Sequence, residues 1–263
     1  MMSRWWLAVA VVCAIPFPAV CVAQDAPRLV HVIVALADNE HQGIVPVPKA
    51  LGNGNDPARN LYWGAAFGVR TYFRNSAEWK EVSVVQKPAA AVLERLIFYR
   101  ATGNVYLIAD AYRGQEIKAA VADFFELAAG WRTDGAEKLK GAKGKEFEIP
   151  SGPQLVVYVG HDGLMDFALD KTYRGDAAPK RQVIVLACAS KAYFGPGLRA
   201  TGAEPLLWTR GLMAPEAYSL KAALDGWAAG EDAEQIRVRA AAAYAKYQKI
   251  SLTAAERLFA TGW

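Results

Sequence analysis

Two residues that can carry out acyl transfer together, a histidine and a cysteine, each follow a short apolar stretch of this 263-residue sequence. His161 comes directly after "QLVVYVG" (154–160), and Cys188 comes directly after "RQVIVLA" (181–187). An imidazole can accept the proton of a nearby thiol, and the resulting thiolate is the effective nucleophile. The chain between them is long enough for a crossover between two parallel strands. If the two stretches are neighbouring strands, the sequence predicts a catalytic dyad of His161 and Cys188 at their carboxyl ends.

The amino-terminal segment has the composition of a secretory signal peptide. Arg4 precedes the apolar run "WWLAVAVVCAIPFPAV", and the small residues of "CVA" end at Ala23, where signal peptidase would cleave. The run is too short, and too interrupted by proline, for a bilayer-spanning helix of about 20 residues. We therefore expect residues 1–23 to be removed and the protein to be periplasmic or secreted, with no membrane contact beyond the signal peptide.

Removal of residues 1–23 would leave Cys188 as the single cysteine of the mature chain. An unpaired thiol in an exported protein is a candidate reactive group or intermolecular disulfide partner. The alternative is that Cys188 is a small core residue, because free cysteine is among the most buried residue types.

Charge and length restrict the partners and the number of domains. The chain has 30 Lys and Arg against 26 Asp and Glu, a net charge of +4, and the basic residues are interspersed with acidic ones. Without a basic stripe, nucleic acid is not an expected partner. Residues 24–263 are enough for one sizeable α/β domain and short for two, so we predict a single domain. The sequence leaves the oligomeric state open.

Short runs rich in Val, Ile and Tyr alternate with helical patterns, which is typical of βαβ units. Runs such as "LVVYV" and "VIVLA" are continuously apolar, as expected for strands covered on both faces. The sequence therefore predicts a three-layer α/β/α sandwich with a mainly parallel sheet of about six strands. The predicted strands lie at 29–37, 81–86, 104–110, 154–160, 181–187 and 204–209. The predicted helices lie at 57–73, 89–101, 114–130, 214–229, 232–248 and 252–261. Residues 132–153, rich in Gly and Lys, are predicted to form a surface excursion with a hairpin.

Ligands of open parallel sheets bind beyond the carboxyl ends of the strands. Polar or aromatic side chains near these ends are therefore candidates for substrate binding, and they are Asp38, Asp110, Asp162, Ser190, Trp208, Thr209 and Arg210. Asp38, Glu40 and His41 offer oxygen and nitrogen donors in one loop, but no second cluster of donors has the spacing of metal ligands, so we predict neither a metal site nor a cofactor.

An apolar strand that ends in histidine with a glycine close behind, followed by an apolar strand that ends in Ala-Cys, resembles the caspase-like cysteine peptidases (clan CD, with caspases, legumains, gingipains and clostripain). The resemblance covers residues 154–190, and elsewhere it extends only to a compatible order of elements. It implies that His161 transfers the proton, that Cys188 attacks the bond of a peptide or protein substrate, and that Gly163 and the Cys188 N–H form the oxyanion pocket.

Two other functions remain open at this stage. In the family the glycine usually follows the histidine directly, whereas here Asp162 stands between them, so a catalytically inactive caspase-like binding or scaffold module of the periplasm is the first alternative. Such a module would use the edge formed by Asp38, Asp110 and Arg210, and it predicts a buried, unreactive Cys188. Taken by itself, His161 has the alternative of being a surface histidine paired with Asp162 or Asp166. The second alternative is a different hydrolase in which Ser190 or a pair of Asp residues does the chemistry.

Overall fold

The computed structural model describes residues 26–133, 138–140, 146–175 and 180–263. The predicted signal peptide, residues 1–23, lies outside these ranges. Within the described ranges, no helix is both long enough and apolar enough to cross a membrane.

Ten strands lie in the described residues, of which eight form the central sheet and the other two form a separate hairpin. The strands, in chain order, are β1 (Arg28–Ala35), β2 (Lys80–Ala89), β3 (Val92–Arg100), β4 (Val105–Tyr112), β5 (Lys138–Lys140), β6 (Glu146–Glu148), β7 (Leu155–Val159), β8 (Gln182–Leu186), β9 (Glu204–Thr209) and β10 (Phe259–Ala260). Five central strands pair in parallel in the order β9-β8-β7-β1-β4. The strands β10, β3 and β2 pair antiparallel at the two edges. The prediction of about six mainly parallel strands is therefore corrected to a larger, mixed sheet.

Helices cover both faces of the sheet, which confirms the α/β architecture with a central sheet. They are α1 (Val69–Arg74), α2 (Ile117–Ala129), α3 (Ser190–Thr201), α4 (Ala217–Ala228), α5 (Ala233–Gln248) and α6 (Leu252–Leu258). The helices α2 and α3 contribute to one hydrophobic core, and α1, α4 and α5 to the core on the opposite face. The strand β1 is apolar on both faces, since Val32 packs into one core and Ile33 into the other.

Three segments differ from the predicted helices. The end of the predicted helix 252–261 forms the strand β10. Residues 89–101 contain all of β3, where Leu96 and Ile97 enter different hydrophobic cores, as successive side chains of a strand do. The spacing of Leu93, Leu96 and Ile97 in the sequence also fits one side of a helix, which explains the wrong prediction. In the predicted helix 57–73, only residues 69–73 are helical, as part of α1, and most of the residues before them form turns.

The segment 132–153 contains a short hairpin, as predicted, in which β5 pairs antiparallel with β6. Its apolar residues do not stay on the surface. Phe147 contacts the rings of Tyr99 and Tyr106 at 5.5 and 6.3 Å between centroids, and Ile149 is buried. The hairpin therefore covers part of the sheet. Residues 134–137 and 141–145 of this segment lie outside the described ranges.

A buried charged network joins β1, β3 and β4. Arg95 donates to both carboxylate oxygens of Asp110 at 2.7 Å, and Nε2 of His31 lies 2.9 Å from Oδ2 of Asp110. Burial alone would raise the pKa of Asp110, but the hydrogen bonds from Arg95 and His31 lower it to about 2. Asp110 thus lies inside β4 and faces its ion-pair partners. The prediction that Asp110 binds substrate is withdrawn.

Asp110→Asn should lower the free energy of unfolding at pH 7 by about 1–3 kcal/mol, because a neutral amide would replace the buried carboxylate that binds Arg95 and His31. The folded carboxyl has a lower pKa than the unfolded one, so its contribution is present above about pH 4 and is lost as the pH falls toward 2. Urea unfolding should therefore show a smaller difference between parent and variant at pH 3 than at pH 7. The exposed Asp170→Asn is the control, and equal stability of Asp110→Asn and parent at pH 7 would refute the assignment.

Candidate functional site

His161 and Cys188 line one cleft at the carboxyl ends of β7 and β8. Val159 and Leu186 are partners in the parallel pairing, and each predicted catalytic residue lies two positions further along its chain. Gly160 extends the pairing, since its N–H donates to the Leu186 carbonyl at 3.2 Å. Parallel strands lie about 4.8 Å apart, so the two residues leave the sheet side by side. Both border a cavity of about 340 Å³.

The cleft lies at the topological switch point of the sheet. From β1 the chain adds β4 on one side and β7 on the other, so the crossovers leave a crevice between β1 and β7. The loop after β1 supplies Gly43 and Ile44 to the cleft, and the segment after β9 supplies Met213. The site is therefore at the position where α/β sheets of this kind bind ligands.

Cys188 occupies the tight turn between β8 and α3. The next residue, Ala189, has a left-handed conformation with φ +45° and caps α3, and its N–H donates to the Gly211 carbonyl at 2.8 Å. The Cys188 side chain is partly exposed. Its Sγ accepts from the N–H of Met213 at 3.4 Å and lies 3.5 Å from the Met213 carbonyl oxygen. Among the described loop and cap hydrogen bonds, none uses the Cys188 backbone N–H, which is thus available to a ligand.

A pair of buried hydroxyls fixes this turn to β9. The Ser190 hydroxyl donates to the Val185 carbonyl at 2.9 Å and accepts from the Thr209 N–H at 2.9 Å. The Thr209 hydroxyl donates to the Ala187 carbonyl. Both side chains are fully buried. Ser190 and Thr209 therefore hold the turn instead of binding substrate, and the alternative with Ser190 as a nucleophile does not fit this arrangement.

The Nε2 nitrogen of His161 is held by the carboxylate of Asp166. Its Nε2 lies 2.7 Å from Oδ2 of Asp166, which also accepts the N–H of Gly43 at 3.0 Å. Burial tends to raise the pKa of Asp166, but these two contacts lower it below its ordinary value. No hydrogen bond among the described residues engages Nδ1 of His161. With Nε2 protonated toward Asp166, Nδ1 carries the free electron pair that a base needs.

Asp162 and Gly163 do not take the predicted places. Asp162 is fully buried, and its Oδ1 accepts the Leu164 N–H at 3.1 Å; Oδ2 has no partner in the described part of the chain. Burial raises the pKa of Asp162 to about 7. The N–H of Gly163 donates to the His161 carbonyl at 3.0 Å, so it is not free for an oxyanion in this conformation. Neither residue borders the cleft.

Three more predicted substrate-binding residues lie away from the cleft. Asp38 is buried, with Oδ2 2.9 Å from Nδ1 of His41. Trp208 belongs to the core beneath α2 and α3, and Arg210 borders a different cavity beside α5 and α6. None of the three borders the cleft that holds Cys188.

Tyr62 is a cleft residue that sequence reasoning missed. It lies in the long segment between β1 and α1 and lines the cavity with Cys188. Burial, followed by the nearby Cys188 and Glu216, raises the pKa of Tyr62 above its ordinary value, so the phenol stays protonated. Tyr62 therefore adds a protonated phenol to the wall of the cleft.

No protein-family model matches the chain, and comparisons with curated proteins and with solved structures give no match. Within the described ranges, no group of three His, Cys, Asp or Glu residues is arranged to hold a metal ion. The function is therefore inferred from the cleft itself.

Thr209→Val should destabilise the protein by about 1–3 kcal/mol, because the Ala187 carbonyl and the Ser190 N–H would lose buried partners while the shape is kept. Chemical denaturation measures the change. Thr253→Val, the same substitution at an exposed position of α6, should change stability by less than about 0.5 kcal/mol. Similar small effects at both positions would show that the hydroxyl pair does not hold the turn.

Proposed function

We propose that the chain is an exported cysteine hydrolase that cleaves peptide bonds through an acyl-enzyme intermediate, on a fold resembling that of the caspase-like peptidases. The observation that carries the proposal is the shared cleft, where His161 and Cys188 stand at the ends of two adjacent parallel strands. The parallel strand order and the helical layers on both faces are compatible with that family. A peptide or protein is the proposed substrate.

The chemical steps use groups that already lie at the cleft. Nδ1 of His161 takes the proton of Cys188 Sγ, and the thiolate attacks the substrate carbonyl carbon. The C–N bond then breaks as the imidazolium gives its proton to the leaving amine, which leaves a thioester on Cys188. A water molecule, deprotonated by His161, attacks the thioester, and the sulfur leaves as the acid product forms. The proton returns to the thiol, so the enzyme is regenerated.

Asp166 has a positioning role in this scheme. Its carboxylate binds Nε2 of His161 and thereby favours the tautomer in which Nδ1 is unprotonated. The same carboxylate stabilises the imidazolium that forms during the reaction, with an effect reduced by water because Asp166 is 39% exposed.

The charge that develops on the substrate oxygen needs donors at fixed positions. The proposed donors are the Cys188 backbone N–H and the Tyr62 hydroxyl, because both residues line the cleft. Gly163 could join them only if its N–H were released from the His161 carbonyl, to which it donates at 3.0 Å.

A catalytically inactive binding module is the second candidate, and the bound Gly163 N–H favours it. This alternative uses the same cleft without bond cleavage. It predicts that Cys188 reacts slowly with alkylating reagents, whereas the hydrolase requires a reactive thiol.

Cys188→Ala should reduce hydrolysis of a mixed peptide library by about 1000-fold or more, because the nucleophile is removed. Mass spectrometry of cleavage products measures the rate, and acid quenching of the parent should trap an acyl group on Cys188. The parent treated with iodoacetamide is the matched control, since its fold is kept while its thiol is blocked. Undiminished hydrolysis by Cys188→Ala would exclude catalysis by this thiol, and a parent with an unreactive thiol and no hydrolysis would favour the binding module.

A further inference from the structure

The walls of the cleft are apolar apart from the groups assigned to chemistry. The apolar lining includes Ile44, Val45, Val47, Met165, Leu212 and Met213. No Asp, Glu, Lys or Arg of the described chain lines it. A charged group that entered this space would lose water without gaining a partner, whereas an apolar group would lose only unfavourable contact with water.

Large apolar side chains are exposed at the rim of this cleft. Val45 is 86% exposed and Leu212 is 76% exposed, the two highest values among the exposed large hydrophobic residues that the structure describes; Met165 is 42% exposed. Single exposed apolar residues are ordinary, but a group of them around one concavity marks a binding surface.

The rim belongs to the same loops that position the reacting groups. Leu212 precedes Met213, whose backbone contacts Cys188 Sγ, and Met165 precedes Asp166, the partner of His161. Val45 lies two residues after Gly43, whose N–H binds Asp166. An apolar group held by this rim would therefore lie next to the thiol, which is where the substrate atoms beside the reacting carbonyl must be.

The size of the cavity limits what it can hold. Its volume of about 340 Å³ is at the lower end of the range of about 300–1,000 Å³ found for ligand pockets. This space suits one large side chain together with the adjoining main chain, and not an extended ligand.

We propose that the cleft binds a large apolar side chain, such as that of Leu, Met or Phe, on the residue whose carbonyl Cys188 attacks. This inference rests on the proposed cysteine hydrolase function and adds its substrate class. Burial of such a side chain should favour it over alanine by about 10- to 100-fold.

Peptide ketones that alkylate a thiolate test the preference directly. Four acetyl-Ala-Ala-X acyloxymethyl ketones, with X as Leu, Phe, Asp or Lys, differ only in the side chain beside the electrophilic carbonyl. The thiolate displaces the carboxylate leaving group, so intact mass measures the alkylation rate of Cys188. The Leu and Phe reagents should react at least tenfold faster than the Asp and Lys reagents, and equal rates or a charged preference would overturn the proposal.

The outcome separates this proposal from the function on which it rests. Faster labelling by the apolar reagents without hydrolysis of any peptide would support the pocket and refute the hydrolase. Hydrolysis that prefers a charged residue beside the cleaved bond would support the hydrolase and refute the pocket.

Leu212→Asp should lower the ratio of the Leu reagent rate to the Lys reagent rate by about tenfold, since it places a negative charge at the apolar rim. Leu252→Asp is the matched control, because Leu252 is 48% exposed on α6 and does not border the cleft. The rate with iodoacetamide, which has no side chain, checks that the thiol still reacts. Val45→Asp repeats the test from another loop if Leu212→Asp does not fold, and an unchanged ratio in a folded rim variant would contradict the proposal.

Discussion

The in-register parallel pairing of β7 with β8 determines where the two reactive side chains meet. Val159 stands opposite Leu186, and the chains leave the sheet at the same level toward His161 and Cys188. On its other side β7 pairs with β1, which brings Val34 beside Val159. A shift of one residue in either pairing would turn buried side chains of β7 to the opposite face, so the hydrophobic cores on both faces fix the register. The geometry of the site is thus a consequence of core packing.

Electrostatics near the imidazole separate the roles of two neighbouring carboxyl groups. Burial raises the pKa of Asp162 to about 7, whereas the contacts of Asp166 with Gly43 and His161 lower its pKa despite the opposing effect of burial. At neutral pH the carboxylate that acts on His161 is therefore Asp166. Environments that shift the pKa values of two neighbouring acids in opposite directions are a common feature of catalytic sites. The Oδ1 of Asp162 accepts the Leu164 N–H, and in the same turn the Gly163 N–H donates to the His161 carbonyl.

The sequence predicted the central strands because they are buried on both faces, and continuous apolar runs are a strong signal. It missed α3 because Gly195, Pro196 and Gly197 lie inside that helix and are read as helix breakers. The placement of His161 and Cys188 in one cleft could be expected from strand ends alone. The pairing of His161 with Asp166 was one of two pairings that the sequence left open. The positions of Tyr62 and of the Ser190–Thr209 pair could not be expected, because they depend on contacts between loops and strands that are distant in the chain.

The central claim is that His161 accepts the proton of Cys188, and the pH dependence of thiol alkylation tests it most directly. An ordinary thiol ionises near about pH 8.5, so an unassisted cysteine reacts slowly with iodoacetamide at pH 6. The alkylation rate of Cys188 should be at least about tenfold higher in the parent than in His161→Gln at pH 6, and the two rates should converge near pH 9, where ionisation needs no base. Equal rates in both proteins across this range would contradict the account.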